Sequence, residues 1–117
     1  MLARRHRLVR GIDYRTVVRR GRRYGGARVV TSVLLTEEDR PPRFGFIVSK
    51  QVGNAVVRNT VRRRLKDVCA RNLPQVPAGA DIVIRALPAS ASAPFADLLA
   101  DVSRSLGRVE NSVGNRA

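Results

Sequence analysis

The sequence predicts an α+β fold, an α/β sandwich in which a mixed sheet packs with helices in the order α-β-β-α-β-α. Two long segments carry apolar residues at helical spacing, and three shorter ones are rich in β-branched residues. The two kinds alternate within 117 residues, the length of a single domain, 1–117, with one core. A sheet layered against helices buries the apolar faces of both.

Residues 1–10 are basic and are expected to be extended and flexible, with Leu8 as the only anchor. Segment 12–20, IDYRTVVRR, predicts a short helix whose apolar side is Ile12, Tyr14, Val17 and Val18, stopped by Gly21. Residues 28–35, RVVTSVLL, predict a strand. An acidic, proline-containing turn at 36–42 leads to a second strand at 43–49, so the two are expected to pair as a hairpin with a longer loop.

Gly53 and Asn54 mark a turn, and a helix follows from 55 to 72, ended by Leu73-Pro74 because a residue before proline avoids the helical region. On that helix Val57, Val61, Leu65, Val68 and Cys69 form one apolar stripe. Residues 81–87 predict a strand with Ile82 and Ile84 on one face and Val83 and Arg85 on the other. The last helix, 94–109, carries Phe95, Leu98, Leu99, Val102, Leu106 and Val109 at helical spacing. From Glu110 the tail, 110–117, is expected to be frayed and flexible.

Formal net charge is +14, and it is unevenly placed. Residues 1–28 hold ten arginines against one acid, Asp13, and residues 50–71 hold seven basic residues against Asp67. The strand region between them is near neutral, and so is the last third. Such clustering points to a surface for a polyanion rather than to general solubility. The single cysteine, Cys69, excludes an internal disulfide and a multi-cysteine metal site; it reads as a core residue in a reducing compartment. No apolar run has membrane-spanning length, and the N-terminus lacks the apolar stretch of a signal peptide. The expected location is the cytoplasm.

Catalytic constellations are missing. The one histidine, His6, has no carboxylate neighbour in the sequence and reads as solvated or facing RNA. Glu37, Glu38 and Asp39 share a turn, and no pair of carboxylates falls where two strand ends would join them around metal ions. No metal site is predicted on the chain, and there is no phosphate-binding glycine loop of the P-loop type.

The helix beginning near residue 55 is different. Arg58, Arg62 and Lys66 recur one turn apart, away from the apolar stripe, with Asn59 and Arg63 beside them. No acid falls between Lys50 and Lys66. Cations stacked this way repel one another, so a helix that keeps them without counter-charge is holding them for an anion. The first-turn amides of the helix add donors for a phosphate. Arg64 falls at the edge of the apolar stripe and is expected to snorkel along its aliphatic stem. Phe44 and Phe46 read as core, and Tyr14 as the better candidate for stacking on a base.

The stretch SKQVGNAVVRNTVRRRLKDV resembles the motif of the protein subunit of bacterial ribonuclease P: a lysine, then G-N-A, then R-N, then paired basic residues and one more a turn later. Lys50, Gly53, Asn54, Ala55, Arg58, Asn59, Arg62, Arg63 and Lys66 all fall on it. The resemblance extends to RHRLVRGIDYRTVVRRG and to DIVIRALPAS, and so spans nearly the whole chain.

The resemblance implies a sheet of the four-stranded type with a left-handed β-α-β crossover through the basic helix. It implies an RNA-binding component of an endoribonuclease that removes the 5′ leader from precursor tRNA. The active site is then on the catalytic RNA, with Mg²⁺ serving the holoenzyme and no cofactor bound by the protein alone. The protein would bind that RNA one-to-one through the motif. It would hold the single-stranded leader in a cleft between the sheet and the first helix, at Tyr14, Val18 and Ser32. Val18 and Ser32 stand where the family commonly has aromatic residues, and Lys66 stands where it often has arginine. Without the resemblance, the residues alone would also suit a structural RNA-binding protein with no part in cleavage. A self-sufficient nuclease fits them less well, for want of a carboxylate cluster.

Overall fold

The computed structural model describes the backbone of residues 2–115 and the side chains of residues 2–109. Seven main elements follow one another: α1 (Gly11–Arg20), β1 (Arg22–Gly25), β2 (Val29–Leu35), β3 (Arg43–Ile47), α2 (Ala55–Asn72), β4 (Ala80–Ala86) and α3 (Phe95–Asn115). The strands form one mixed four-stranded sheet in the order β1-β2-β4-β3, antiparallel except for the β3–β4 pair. The α+β class and the mixed sheet are as predicted.

The strand pairing is not. The hairpin expected between segments 28–35 and 43–49 does not form, because β4 lies between β2 and β3 and pairs with both. Parallel β3 and β4 need a crossover, and α2 supplies it. One strand, β1, is additional to the three read from the sequence. Its residues RRYG hide the pattern: only Tyr24 is buried, and β1 pairs antiparallel with β2 across a short turn.

Each face of the sheet serves a different partner. Along one face run Val33, Ile82 and Phe44 in one cross-strand row and Tyr24, Thr31, Ile84 and Phe46 in the next. This face joins Val61, Leu65, Val68 and Cys69 of α2 and Leu98, Val102, Leu106 and Val109 of α3 in the main core. Burial of the Cys69 thiol pushes its pKa up, as suits an inert core residue. The opposite face carries a small second core of Leu8, Val17 and Val83, flanked by Tyr14, Leu34 and Ile47. Among the described residues, α1 and Leu8 cover that face, and part of it stays open.

The N-terminal segment is held by more than Leu8. Leu2 is fully buried in the main core, and Arg4–His6 form a 3-10 turn rather than extended chain. Arg7 bridges in parallel to Phe44, and the Leu8 amide donates to the Phe44 carbonyl at 2.7 Å. This strap therefore covers the outer edge of β3. His6 is buried at 7% exposure, not solvated: its Nδ1 lies 2.9 Å from the Pro42 carbonyl oxygen and its Nε2 accepts from Arg5 Nε. A carbonyl only accepts, so the Nδ1–H tautomer satisfies both bonds. At the other end, α3 continues past the expected limit at 109 to Asn115, and residues 116 and 117 of the predicted tail lie outside the described residues.

Candidate nucleic-acid interface

The turn before α2 is built for close approach. A Cβ on Gly53 would lie 2.8 Å from Val57 Cγ1, so only glycine lets Val57 fold back onto the turn. Asn54 is the N-cap: its Oδ1 accepts from the Val57 amide at 2.9 Å, and its carbonyl accepts from the Arg58 amide at 2.9 Å. Asn54 thus holds the helix start and takes up one of the first-turn donors.

From that start, one face of α2 enters the main core and another carries the basic row. Lys50, Asn54, Asn59 and Arg63 are exposed; Gly53, Arg58, Arg62 and Lys66 are half-buried at its flank. Arg62 Nη1 donates to Asn59 Oδ1 at 3.1 Å, which fixes the guanidinium along the helix. Among the described residues, the ion pairs are made by Arg10, Arg28, Arg40, Arg43 and Arg104, and none by Lys50, Arg58, Arg62, Arg63 or Lys66. The acids of those ion pairs lie off α2. Asp101 takes Arg28 and Arg104, and Asp81 takes Arg40 and Arg43 at 3.0 and 2.9 Å. Burial raises the Asp81 carboxyl, but hydrogen bonds from Arg43 and Arg40 outweigh this and hold its pKa below the ordinary value. Arg58 Nε is buried with no hydrogen-bond partner among the described residues. Arg64 leaves the row: it is half-buried, and its Nη1 donates to the Ala93 carbonyl at 3.3 Å.

A chain of concavities leads from this row to the open sheet face. The first, between the strap and α2, is lined by Arg7, Tyr14, Phe46, Arg62 and Lys66. Tyr14 is shared with the second, which also takes in Ile12, Val18 and Ile47 around α1. Val18 and Ile47 are shared with the third, about 290 Å³ in volume, whose floor includes Val30, Ser32 and Val83.

Tyr14, Val18 and Ser32 thus lie along one path, though not as equals. Tyr14 is half-buried, its ring lies against Gly45, and its hydroxyl donates to the Leu8 carbonyl and accepts from the Phe46 amide, each at 3.2 Å. Val18 is 39% exposed and Ser32 only 5%, so Ser32 offers a floor rather than a protruding contact. Arg23 and Arg85 also border this third concavity. Sequence reasoning missed them as site residues, because their convergence depends on strand register.

No group of three His, Cys, Asp or Glu side chains among the described residues is placed to hold a metal ion. Nor is any helix among them long and apolar enough to cross a membrane.

The family model described as Ribonuclease P matches residues 2–110. The chain belongs to the ribonuclease P protein family. It is 48% identical over 118 residues to the ribonuclease P protein component of Acidothermus cellulolyticus, covering 97% of this chain and 98% of that one. To that of Clavibacter michiganensis subsp. michiganensis it is 60% identical over 88 residues, covering 75% and 78%. Its fold is shared with the ribonuclease P protein of Staphylococcus aureus, at a TM-score of 0.80 and 20% identity over 89% of this chain and 94% of that one. The Thermotoga maritima protein gives 0.78 and 23% over 89% and 97%. As a ribonuclease P protein component, the chain is a subunit of a tRNA-processing ribonucleoprotein and works with the ribonuclease P RNA.

Proposed function

We propose that the chain binds the catalytic RNA through the basic face of α2 and holds the single-stranded 5′ leader of precursor tRNA along the path under α1. Lys50, Gly53, Asn54, Arg58, Asn59, Arg62, Arg63 and Lys66 make the first contact; Tyr14, Val18 and Ser32 line the second. The observation that carries this reading is the row of motif cations on α2, which forms no ion pair among the described residues. An RNA backbone supplies the missing negative charge and releases its counterions on binding.

The chain's own residues bind and position; none is assigned to the chemistry. No metal role is assigned to the carboxylates of the described residues, and the Mg²⁺ that serves the holoenzyme is assigned to the RNA. There it supplies electrostatic stabilisation of phosphodiester hydrolysis. The protein acts as a monomer in a one-to-one ribonucleoprotein in the cytoplasm.

Reconstitution tests the reading. Purified protein added to a ribonuclease P RNA at low Mg²⁺ is expected to restore leader removal from precursor tRNA. Cleavage by the protein without RNA, or no effect on the RNA's activity, would overturn it.

A further inference from the structure

The open sheet face carries a pair of arginines that the motif does not include. Cross-strand registers place Arg23, Ser32, Val83 and Gly45 in one row, and Gly25, Val30, Arg85 and Ile47 in the next. The α1 helix covers part of the first row, with Tyr14 lying on Gly45 and Val17 packing with Val83. What stays open is a furrow with valine, isoleucine and serine on its floor and Arg23 and Arg85 at its rim. Both arginines are exposed, and among the described residues neither forms an ion pair.

Arg85 is the more telling of the two. Arg23 lies on the edge strand β1, where a charge also guards against edge-to-edge pairing. Arg85 lies on β4, an interior strand, directly between Val30 and Ile47. An apolar or β-branched residue would stabilise that position better, and no edge needs guarding there. Two strand spacings and one two-residue step separate the Cα atoms of Arg23 and Arg85, about 12 Å in all. Both guanidinium side chains line the furrow across that gap. No aromatic side chain stands in these two rows or lines the furrow, and Tyr14 lies outside it on α1.

We infer that Arg23 and Arg85 set the specificity of the leader site: they grip the phosphates of the strand, so that the site holds a leader of any base sequence. This rests on the leader reading above and goes beyond it by naming the contacts and what they ignore. Guanidinium forks match phosphate geometry, phosphate contacts carry no sequence information, and the floor has no ring free to stack on a base. Ser32 and Ser49 add hydroxyls suited to ribose or phosphate oxygens.

The test uses the reconstituted holoenzyme and three ligands: precursor tRNA with an oligo-A leader, the same with an oligo-U leader, and mature tRNA without a leader. Wild type is expected to bind both precursors more tightly than mature tRNA and within roughly threefold of each other, since stacking discrimination is missing. Arg23→Ala and Arg85→Ala should each shrink the advantage of a leader about fivefold and lower its log–log salt slope by about 0.7. Arg→Lys at either position should recover most of the slope. Ser32→Tyr adds a ring and should create a preference between the A and U leaders. A strong base preference in wild type would overturn the inference. So would arginine variants that keep the full leader advantage, or that weaken only assembly with the catalytic RNA. Equal binding of precursor and mature tRNA by wild type would instead sink the leader reading itself.

Discussion

Gly45 shows how a single missing atom positions the site. A Cβ there would lie 2.5 Å from Tyr14 Cζ and 2.7 Å from its Oη, so the ring sits where only glycine admits it. Gly45→Ala should push the ring off and break its bonds to Leu8 and Phe46, destabilising the fold by about 1–3 kcal/mol. Urea denaturation would read this, and an unchanged midpoint would refute it. Asp81 offers a second test at this scale. Its pKa lies below the usual value in the folded chain, so its contribution is present above the unfolded-chain pKa, near 3.9. That contribution is lost as pH falls through the lower folded value. Stability should therefore drop on acidification below about pH 4, and Asp81→Asn should flatten that acid limb. If the variant and wild type lose stability in parallel, the Arg40 and Arg43 bonds are not the cause. Neither Tyr14's seat nor Asp81's partners were legible in the sequence, since Gly45 and Tyr14 meet across 31 positions and Arg43 and Asp81 across 38. His6 is the same case: its partner Pro42 lies 36 residues on, which is why it read as solvated.

At the scale of elements, α2 separates two tasks that its sequence interleaves. Asn54 closes the helix start, while among the described residues Arg62 bonds only Asn59. Asn54→Ala should cost about 1 kcal/mol of folding stability. Arg62→Ala should change stability by less than about 0.5 kcal/mol yet weaken assembly with the catalytic RNA. Thermal melts beside a binding titration would separate the two effects. A large stability loss in Arg62→Ala, with RNA affinity intact, would reverse the assignment. The basic row was legible because helical period is local: residues four apart share a face whatever the rest of the chain does. Strand pairing is not local. Segments 28–35 and 43–49 are neighbours in sequence with a turn between them, and nothing in either announces that β4, some thirty-five residues later, will insert between them. Strand β1 was lost for a different reason, since two arginines and a glycine mask the one buried tyrosine. The furrow rimmed by Arg23 and Arg85 inherits both difficulties, because one of its arginines lies on the unseen strand and the other is aligned by the unforeseen pairing.

For the whole molecule, a net charge of +14 acts in two opposed ways, and salt distinguishes them. In the free protein Asp81 and Asp101 lie in ion pairs with Arg28, Arg40 and Arg43, while among the described residues the motif cations form none. Like charges so disposed repel, which destabilises the compact state. Screening shortens the reach of that repulsion to about 8 Å at physiological ionic strength, so added monovalent salt should raise the melting temperature of the protein alone. The complex should respond with the opposite sign. If the five motif cations each neutralise one phosphate, log affinity should fall with log salt at a slope of about −3.5 to −4.5. Between about 50 and 200 mM salt that is a loss of roughly two to three orders of magnitude in affinity for the catalytic RNA. The two measurements constrain each other. A steep slope for the complex together with a melting temperature that falls with salt would mean that the cations are compensated within the free fold. A flat slope would mean that the charge serves something other than RNA. Only a rise in one and a steep fall in the other fits a protein whose folded charge is left unbalanced for its nucleic-acid partner.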